Sequence, residues 1–342
     1  MAVTMYRHND SNNHLQHNMD NSGSDPNESD DGSVASFDSD ASSDVTELDQ
    51  SDFAGYFHER DGRLFHSHGQ SPYPLPVDAR EQARINGQHG LLGRLLGSNY
   101  LGPVGDVVRT RRRVLDLCTG TGRWVLDMAE EFPNVRFDGI DIVPISTRAP
   151  PRNVFIEMAD INEPWRWQPH TFDFVHARSV SMAVRDYAGM LDQAARVLRP
   201  GGLFLACEWG RFVALHDGRD VAGAAPRTAA FFRAVREALE ARGVPPVAEH
   251  LEQHVRDSGR FDHIVVRRYT LPIGDWDAAQ VELGRDMRAF LVMFVESLKP
   301  LLVAFGTHAV EVDDFIRAVK LELETVRGMV AYYYTVHGRR VE

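Results

Sequence analysis

An acidic residue and two glycines, Asp116, Gly120 and Gly122, lie within seven residues of one another. They follow a short apolar run at 114–117 and precede a helical pattern that begins at Arg123. Glycine suits a turn that uses positive φ or brings its backbone against a ligand. The pattern predicts a strand, a glycine turn and a helix, which together begin a Rossmann-like sheet that cradles a phosphate or a nucleoside.

The spacing of these residues argues against a dinucleotide ligand. The dinucleotide motif is G-x-G-x-x-G, whereas this stretch has the pattern D-x-C-x-G-x-G over 116–122. The Asp116 carboxylate would repel a pyrophosphate but would favour an ammonium group. S-adenosylmethionine (SAM) carries an α-ammonium group and no phosphate, so we expect SAM at this turn. The alternative is a βαβ unit whose glycines only make a tight turn.

Two further acidic residues follow the next two predicted strands. Asp141 ends the strand at 135–141 and lies 141 − 122 = 19 residues after Gly122, where a carboxylate accepts hydrogen bonds from ribose hydroxyls. Asp160 and Ile161 follow the strand at 154–158. The Asp160 carboxylate can accept a hydrogen bond from the adenine amino group, and Ile161 can pack against the adenine ring. For Asp160 the alternative is a helix cap or a turn.

The first 52 residues differ from the rest of the chain in composition. They contain twelve acidic residues and one basic residue, Arg7, and therefore carry most of the net charge of −12. Few of them are apolar, so they cannot bury enough surface to offset the entropy of ordering. We predict a disordered acidic tail over 1–52, which is either a solubilising segment or a docking segment for a partner.

The rest of the chain is nearly neutral, which argues against a nucleic-acid groove. The one basic cluster, at 109–113, is either a solvated entry to the first strand or a nuclear import signal. No run is long and apolar enough for a membrane span or a signal peptide. Two cysteines, Cys118 and Cys207, fit a reducing compartment and are expected too far apart for a disulfide. We therefore expect a cytoplasmic or nuclear location.

Aromatic residues and prolines fill the stretch at 53–77, and Asp78 can cap a helix that follows it. We predict that residues 53–100 form a lid over the ligand site, with the segment before the helix running as an extended path. Residues 101–342 form the main domain, with a helical insertion at about 277–327 that is broken at Pro300 and Gly306. His66 and His68 lack a ligand cluster around them, so no metal is predicted.

Several stretches together resemble fungal class I SAM-dependent methyltransferases of the trans-aconitate-methyltransferase-like (TAM-domain), LaeA-like group. The resemblance covers about residues 53–340. It is carried by Arg63-x-Phe-His66, Tyr73-Pro-Leu-Pro-x-Asp78 with Glu81 and Arg84, Leu115-Asp-Leu-Cys-Thr-Gly-Thr-Gly-Arg-Trp124, Asp127-Met-Ala-x-Glu-Phe-Pro133, Gly139-Ile-Asp-Ile-x-Pro144, Phe172-Asp-Phe-Val-His-Ala-Arg178 and Leu198-Arg-Pro-Gly-Gly202.

The resemblance implies an α/β fold with a seven-stranded, mostly parallel sheet whose last strand is antiparallel. It also implies a set of residues at the SAM site, in which Cys118 stands where many class I enzymes have the first glycine. Arg178 or the lid residue Tyr73 would reach the methionine end of SAM or the acceptor. The full set is Tyr73, Asp116, Cys118, Gly120, Gly122, Asp141, Ile142, Asp160, Ile161 and Arg178.

Methyl transfer from a sulfonium mainly requires alignment of donor and acceptor. A hydroxyl or amine acceptor would also need a base, for which His176 and Glu208 at the ends of the fourth and fifth strands are the candidates. Alternatively, His176 is a histidine at a strand end whose hydrogen bonds are satisfied by its neighbours. A carboxylate acceptor would need no base. We expect a small-molecule, secondary-metabolite acceptor. The alternative is a LaeA-like regulator that acts through velvet-type protein partners, with weak or no methyl transfer.

Overall fold

The computed structural model describes residues 6–8, 45–47, 52–67, 69, 71–110, 113–143 and 150–342. Eleven strands lie in these ranges. They are β1 (Tyr6–His8), β2 (Val45–Glu47), β3 (Phe57–Arg60), β4 (Arg63–His66), β5 (Arg113–Leu117), β6 (Arg136–Asp141), β7 (Val154–Met158), β8 (Phe172–Arg178), β9 (Leu198–Leu215), β10 (Phe261–Pro272) and β11 (Met329–Arg340).

Ten α-helices lie in the same ranges, and two 3₁₀ helices accompany them at Asp52–Tyr56 and Ala248–His250. The α-helices are α1 (Ala79–Leu96), α2 (Val104–Thr110), α3 (Arg123–Glu131), α4 (Tyr187–Val197), α5 (Val221–Ala224), α6 (Pro226–Ala241), α7 (Leu251–Asp257), α8 (Val281–Ser297), α9 (Lys299–Ala304) and α10 (Ala309–Thr325).

The main sheet has the order β10-β11-β9-β8-β5-β6-β7-β1-β2. Strands β9, β8, β5, β6 and β7 pair in parallel, and β11 pairs antiparallel with both β9 and β10. The chain leaves β5 towards β6 on one side and returns to β8 on the other. In open parallel sheets, ligands bind at such a switch point, outside the carboxyl ends of the strands.

The sheet differs from the predicted one in its strand number, because it has nine strands rather than seven. The seven expected strands are present, and β1 and β2 extend the sheet beyond β7. Both short strands come from the segment predicted to be a disordered tail. The rest of that prediction concerns residues outside the described ranges, as do His68 and part of the basic cluster at 109–113.

The central strands are buried on both faces. Every residue of β6 is buried, as are residues 114–117 of β5. Burial along the whole length of a strand is typical of parallel sheets that helices cover on both sides. From α3, Trp124 packs edge-on against Phe137 of β6 and Phe174 of β8, at ring-centroid distances of 6.5 and 6.2 Å. These contacts fix α3, and therefore the glycine turn before it, against the sheet.

The segment before α1 contains a hairpin, where the sequence predicted only an extended path. Strands β3 and β4 pair antiparallel from Phe57↔His66 to Arg60↔Arg63. The chain then runs without regular structure to Asp78, which caps α1 by accepting from the Glu81 N–H at 3.1 Å. Arg63 of β4 binds the same Asp78 carboxylate, with Nε–Oδ2 at 2.5 Å. The hairpin and the first turn of α1 are therefore held together.

Helices α8, α9 and α10 occupy the region of the predicted insertion, and the helix breaks fall where the prolines and glycines indicate. Pro300 stands in the first turn of α9, where its missing N–H costs no hydrogen bond. Gly306, with φ of 112°, lies between α9 and α10. The insertion contacts the lid, since the Ser297 hydroxyl at the end of α8 donates to Glu81 of α1 at 2.5 Å.

Candidate functional site

The turn after β5 has an unusual backbone. Cys118, Gly120 and Gly122 have positive φ values of 52°, 64° and 78°. This conformation is strained for Cys118 but not for the glycines. Burial raises the pKa of the Cys118 thiol well above its usual value, and the neighbouring Asp141 and Asp116 carboxylates add to the shift. The thiol is therefore protonated and uncharged at neutral pH.

Asp141 at the end of β6 faces this turn. Its Oδ2 accepts the Gly120 N–H at 2.7 Å, and its Oδ1 accepts the Val143 N–H at 3.1 Å. Burial raises the pKa of Asp141 to about 6, although these backbone N–H groups oppose the shift. The carboxylate is 8% exposed. It is charged at neutral pH and retains lone pairs for a ligand.

A cavity of about 160 Å³ lies between this edge of the sheet and the lid, and we call it the first cavity. Nine of the ten residues predicted for the SAM site line it. The exception is Gly122, the N-cap of α3. The structure therefore brings together Tyr73, Asp116, Cys118, Gly120, Asp141, Ile142, Asp160, Ile161 and Arg178.

Asp160 contributes an acceptor atom without a partner. Its Oδ1 accepts from the backbone N–H of Asn162 at 3.0 Å and from the side-chain amide of Asn162 at 2.8 Å. Its Oδ2 is buried and has no hydrogen-bond partner among the described residues. A buried acceptor without a partner is costly. A ligand that donates to this oxygen would remove that cost.

Asp116 is held by His176, which the sequence suggested as either a base or a satisfied strand-end histidine. His176 lies opposite Asp116 in the pairing of β5 with β8, and its Nδ1 is 2.8 Å from Asp116 Oδ1. The imidazole stacks on Trp124 at a centroid distance of 3.8 Å. Burial lowers the pKa of His176, so a neutral ring donates its Nδ1–H to the carboxylate.

His176 is 2% exposed and does not line the first cavity. This position does not suit the general base suggested from the sequence, because the ring is buried behind Asp116. It agrees instead with the alternative of a satisfied strand-end histidine. The pairing orients the Asp116 carboxylate at the floor of the first cavity.

Glu208, the other predicted base, is fully engaged with the segment after β8. Its Oε1 accepts the N–H groups of Val180 and Ser181 at 2.9 and 3.0 Å, and its Oε2 accepts the Ser181 hydroxyl at 2.9 Å. The side chain is 2% exposed. These bonds fix the loop that follows Ser179, a residue with φ of 59°. They favour a positioning role for Glu208 over proton transfer.

Arg178 at the end of β8 lines the first cavity and is fixed by residues that the sequence did not single out. Its Nη2 donates to His89 Nδ1 at 3.1 Å, and His89 Nε2 donates to Asp127 at 2.9 Å. Burial lowers the pKa of His89, and the charge on Arg178 lowers it further. No sequence spacing signals this chain, because it joins α1, α3 and β8.

A second cavity, of about 100 Å³, adjoins the first. The two share Tyr73, Arg84, Gln88 and Ser179, which we call the shared wall. Burial raises the pKa of the Tyr73 phenol, so this hydroxyl is uncharged. Beyond the shared wall the lining is mainly apolar. It includes Leu75, Trp209, Phe232, Met287, Phe290 and Phe294.

A buried hydrogen-bond chain runs through the shared wall. Arg84 donates to Glu81 Oε1 from Nε at 2.7 Å and to Gln88 from Nη1 at 3.1 Å. Gln88 in turn donates to the Ser179 hydroxyl at 2.8 Å. Glu81 is 0% and Arg84 5% exposed. Arg84 and Gln88 follow Glu81 by three and seven residues, a spacing that places all three on one face of α1 and indicates such a chain. Their polarity, however, suggests a face exposed to solvent rather than a buried wall.

The comparisons with known proteins agree with this architecture. The family described as "Methyltransferase domain" matches residues 99–249. The chain is 30% identical to the secondary metabolism regulator laeA of Coprinopsis cinerea over 271 residues, which are 75% of this chain and 66% of that one. It is also 30% identical to methyltransferase pytC of Aspergillus terreus over 256 residues, which are 72% of this chain and 75% of that one.

Among solved structures, phosphoethanolamine N-methyltransferase 2 of Haemonchus contortus in complex with SAM matches with a TM-score of 0.44 and 15% identity. The match covers 82% of this chain and 62% of that one. The fold class predicted from the sequence is confirmed, apart from the two additional edge strands. The chain belongs to the LaeA-like family of class I SAM-dependent methyltransferases.

Proposed function

We propose that this protein transfers the methyl group of SAM to a small-molecule acceptor that binds in the second cavity. The observation that carries this proposal is the adjacency of the two cavities, which are separated only by the shared wall. A donor in the first cavity and an acceptor in the second would meet at Tyr73 and Ser179. Such an arrangement favours a reaction that depends on alignment.

The residues of the first cavity fit SAM. Asp141 would accept hydrogen bonds from the ribose hydroxyls, since its charge is kept by two backbone N–H groups. Asp160 Oδ2, which lacks a partner among the described residues, would accept from the adenine amino group. Asp116, oriented by His176, would face the α-ammonium group. When bound, SAM supplies a methyl group on a positively charged sulfur.

The chain's own contribution to the reaction is to position the two molecules and exclude water. The lid segment at 71–77 covers the first cavity, and Tyr73 reaches both cavities. His176 and Glu208 are committed to other bonds, so this arrangement favours an acceptor that does not need a strong base. A carboxylate or an ionised hydroxyl meets that condition.

A second candidate function is methyl transfer to a protein. A relative from Emericella nidulans, 27% identical over 280 residues, is named protein-methionine methyltransferase laeA. The regulatory role that the names of the laeA relatives suggest stays a prediction. The velvet-type partners implied by the resemblance and the cytoplasmic or nuclear location also stay predictions. No described helix is long and apolar enough to cross a membrane.

Incubation of the purified protein with methyl-labelled SAM and a fungal metabolite extract separates these candidates. We expect label in extractable small molecules, and we expect its loss in an Asp141→Asn variant. Label that appears only in precipitated protein would contradict the small-molecule proposal and favour the protein acceptor. Isolation of the protein from cell extract with a stable partner, without labelling of either fraction, would favour the regulator.

A further inference from the structure

We infer that the acceptor is a flat, apolar molecule with a single polar reacting group, and that it is not a polycarboxylate. The inference rests on the proposed function and adds the class of the acceptor. It follows from the way in which polarity and charge are distributed around the second cavity.

Polar groups are concentrated at the end of the second cavity that adjoins the first. All four residues of the shared wall carry polar groups. Two further polar residues line this cavity. Ser181 belongs to the loop after β8, and Glu208 belongs to the neighbouring strand β9. The body of the cavity is formed mainly by apolar residues of β9, α6 and α8, with Arg236 of α6 as its charged member. The apolar residues include Val213, Phe232, Val235, Leu239, Met287 and Leu291.

Aromatic rings shape the body of this cavity. Trp209 stacks on Phe290 at a centroid distance of 5.4 Å and an interplanar angle of 27°, and Phe290 lies nearly parallel to Phe294 at 6.1 Å and 7°. All three rings line the cavity, and their planes have similar orientations. Aromatic side chains favour an aromatic partner, which can pack edge-to-face or offset against them, so this lining favours a planar acceptor over a bulky branched one.

The charge at the polar end limits the acceptor to a small charge. The Arg84 guanidinium is paired with Glu81 and lies 5.3 and 5.4 Å from the ring centroids of Phe290 and Phe294. The other lining cation, Arg236 of α6, lies 3.8 Å from Glu240, and the Glu208 carboxylate also lines the cavity. One anionic oxygen could share the remaining N–H groups of Arg84 with Gln88. Three carboxylates would be buried against a cation that is already neutralised, which is costly.

The transfer step balances with such a group. The anionic oxygen of the acceptor forms a bond to the methyl carbon, and the bond from that carbon to sulfur breaks with its electron pair left on sulfur. The products are a neutral methyl ether or ester and S-adenosylhomocysteine. An acceptor oxygen that is already ionised leaves no proton to be removed.

The test uses calorimetry on the full chain saturated with S-adenosylhomocysteine. The apolar probes are 2-naphthol and 2-naphthoate, and the polar probe is citrate. We expect both naphthalene probes to bind at least about tenfold more tightly than citrate. Val235→Trp, which fills the body of the cavity, should weaken the naphthalene probes about tenfold or more. Val310→Trp on the exposed face of α10 should leave their affinity unchanged.

The affinity for S-adenosylhomocysteine shows whether each variant is folded, because Val235 does not line the first cavity. If Val235→Trp fails to fold, Met287→Gln makes the same test by placing an amide in the apolar body. Tighter binding of citrate, or naphthalene binding that neither cavity variant affects, would overturn the inference. Methylation of a polycarboxylate in the labelled extract would also overturn it while leaving the proposed function intact.

Discussion

Asp141 offers the sharpest test of the first cavity. The Asp141→Asn variant keeps the size of the side chain but removes its charge. Charge-assisted hydrogen bonds contribute about 1.5–3 kcal/mol each and neutral ones about 0.5–1.5 kcal/mol. If the carboxylate accepts two ribose hydroxyls, the variant loses about 2 kcal/mol, which is about thirtyfold in the Kd for SAM. The new amide would also face either the Gly120 or the Val143 N–H, which adds to the loss.

The raised pKa of Asp141 adds a dependence on pH to this prediction. SAM should bind the ionised carboxylate, and the pKa without ligand is about 6. At pH 7.5 nearly all of the protein is ionised at this group, whereas at pH 5 about one tenth is. Because the apparent Kd scales inversely with the competent fraction, it should rise about tenfold between these two pH values. In the Asn variant this change should be absent.

Calorimetric titration of parent and variant with SAM at pH 7.5 and pH 5 measures both effects. Asp192→Asn, on the outer face of α4 where Asp192 pairs with Arg260, is the matched control and should bind like the parent. Equal affinity of the Asn variant and the parent would refute the assignment of the ribose site. A parent Kd that does not change with pH would refute the role of the ionised carboxylate.

Three further predictions concern the elements around the site. His176→Gln should lower the free energy of unfolding by about 1–3 kcal/mol, because Asp116 loses its buried partner; denaturant titration measures this change. In steady-state rates, kcat should fall much less than the loss of a catalytic base would lower it. Deletion of residues 1–52 should lower the melting temperature by no more than a few degrees, since the strands described in this segment are short and lie at the edge of the sheet. A large drop in calorimetry would show docking of the tail. Hydrogen exchange over 71–77 should slow when SAM binds, and Tyr73→Ala should raise the SAM off-rate. Exchange that is already slow and that SAM does not change would show that this segment is rigid and does not act as a lid.

Local patterns in the sequence accounted for the strand, the glycine turn and the acid that follows the next strand. Asp116, Cys118, Gly120 and Asp141 meet at the first cavity because each lies at or directly after the end of one of two paired strands. The pairing of Asp116 with His176 was not predictable, since it depends on the register between strands sixty residues apart. The second cavity was missed for the same reason, as its lining extends from Tyr73 to Ala331.

Polarity was also a misleading guide in α1. Glu81, Arg84 and Gln88 would ordinarily mark the solvent face of a helix, yet all three are buried beneath α8 and the loop after β8. Their mutual hydrogen bonds satisfy one another, so burial is tolerated. Only the tertiary structure reveals that their partners come from Ser179 and Ser297.

The two cavities share one wall but otherwise draw largely on different parts of the chain. Every residue that lines the first cavity lies between positions 71 and 183, whereas most of the apolar body of the second comes from β9, α6, α8 and β11, with Leu75 and Met182 as the exceptions. If the second cavity holds the acceptor, as proposed, mutations after residue 208 can alter what is methylated without touching the residues that would hold SAM. Duplicated genes with this architecture could diverge towards new products through their C-terminal halves alone. A chimera that exchanges those halves between relatives would inherit the acceptor preference of its C-terminal parent.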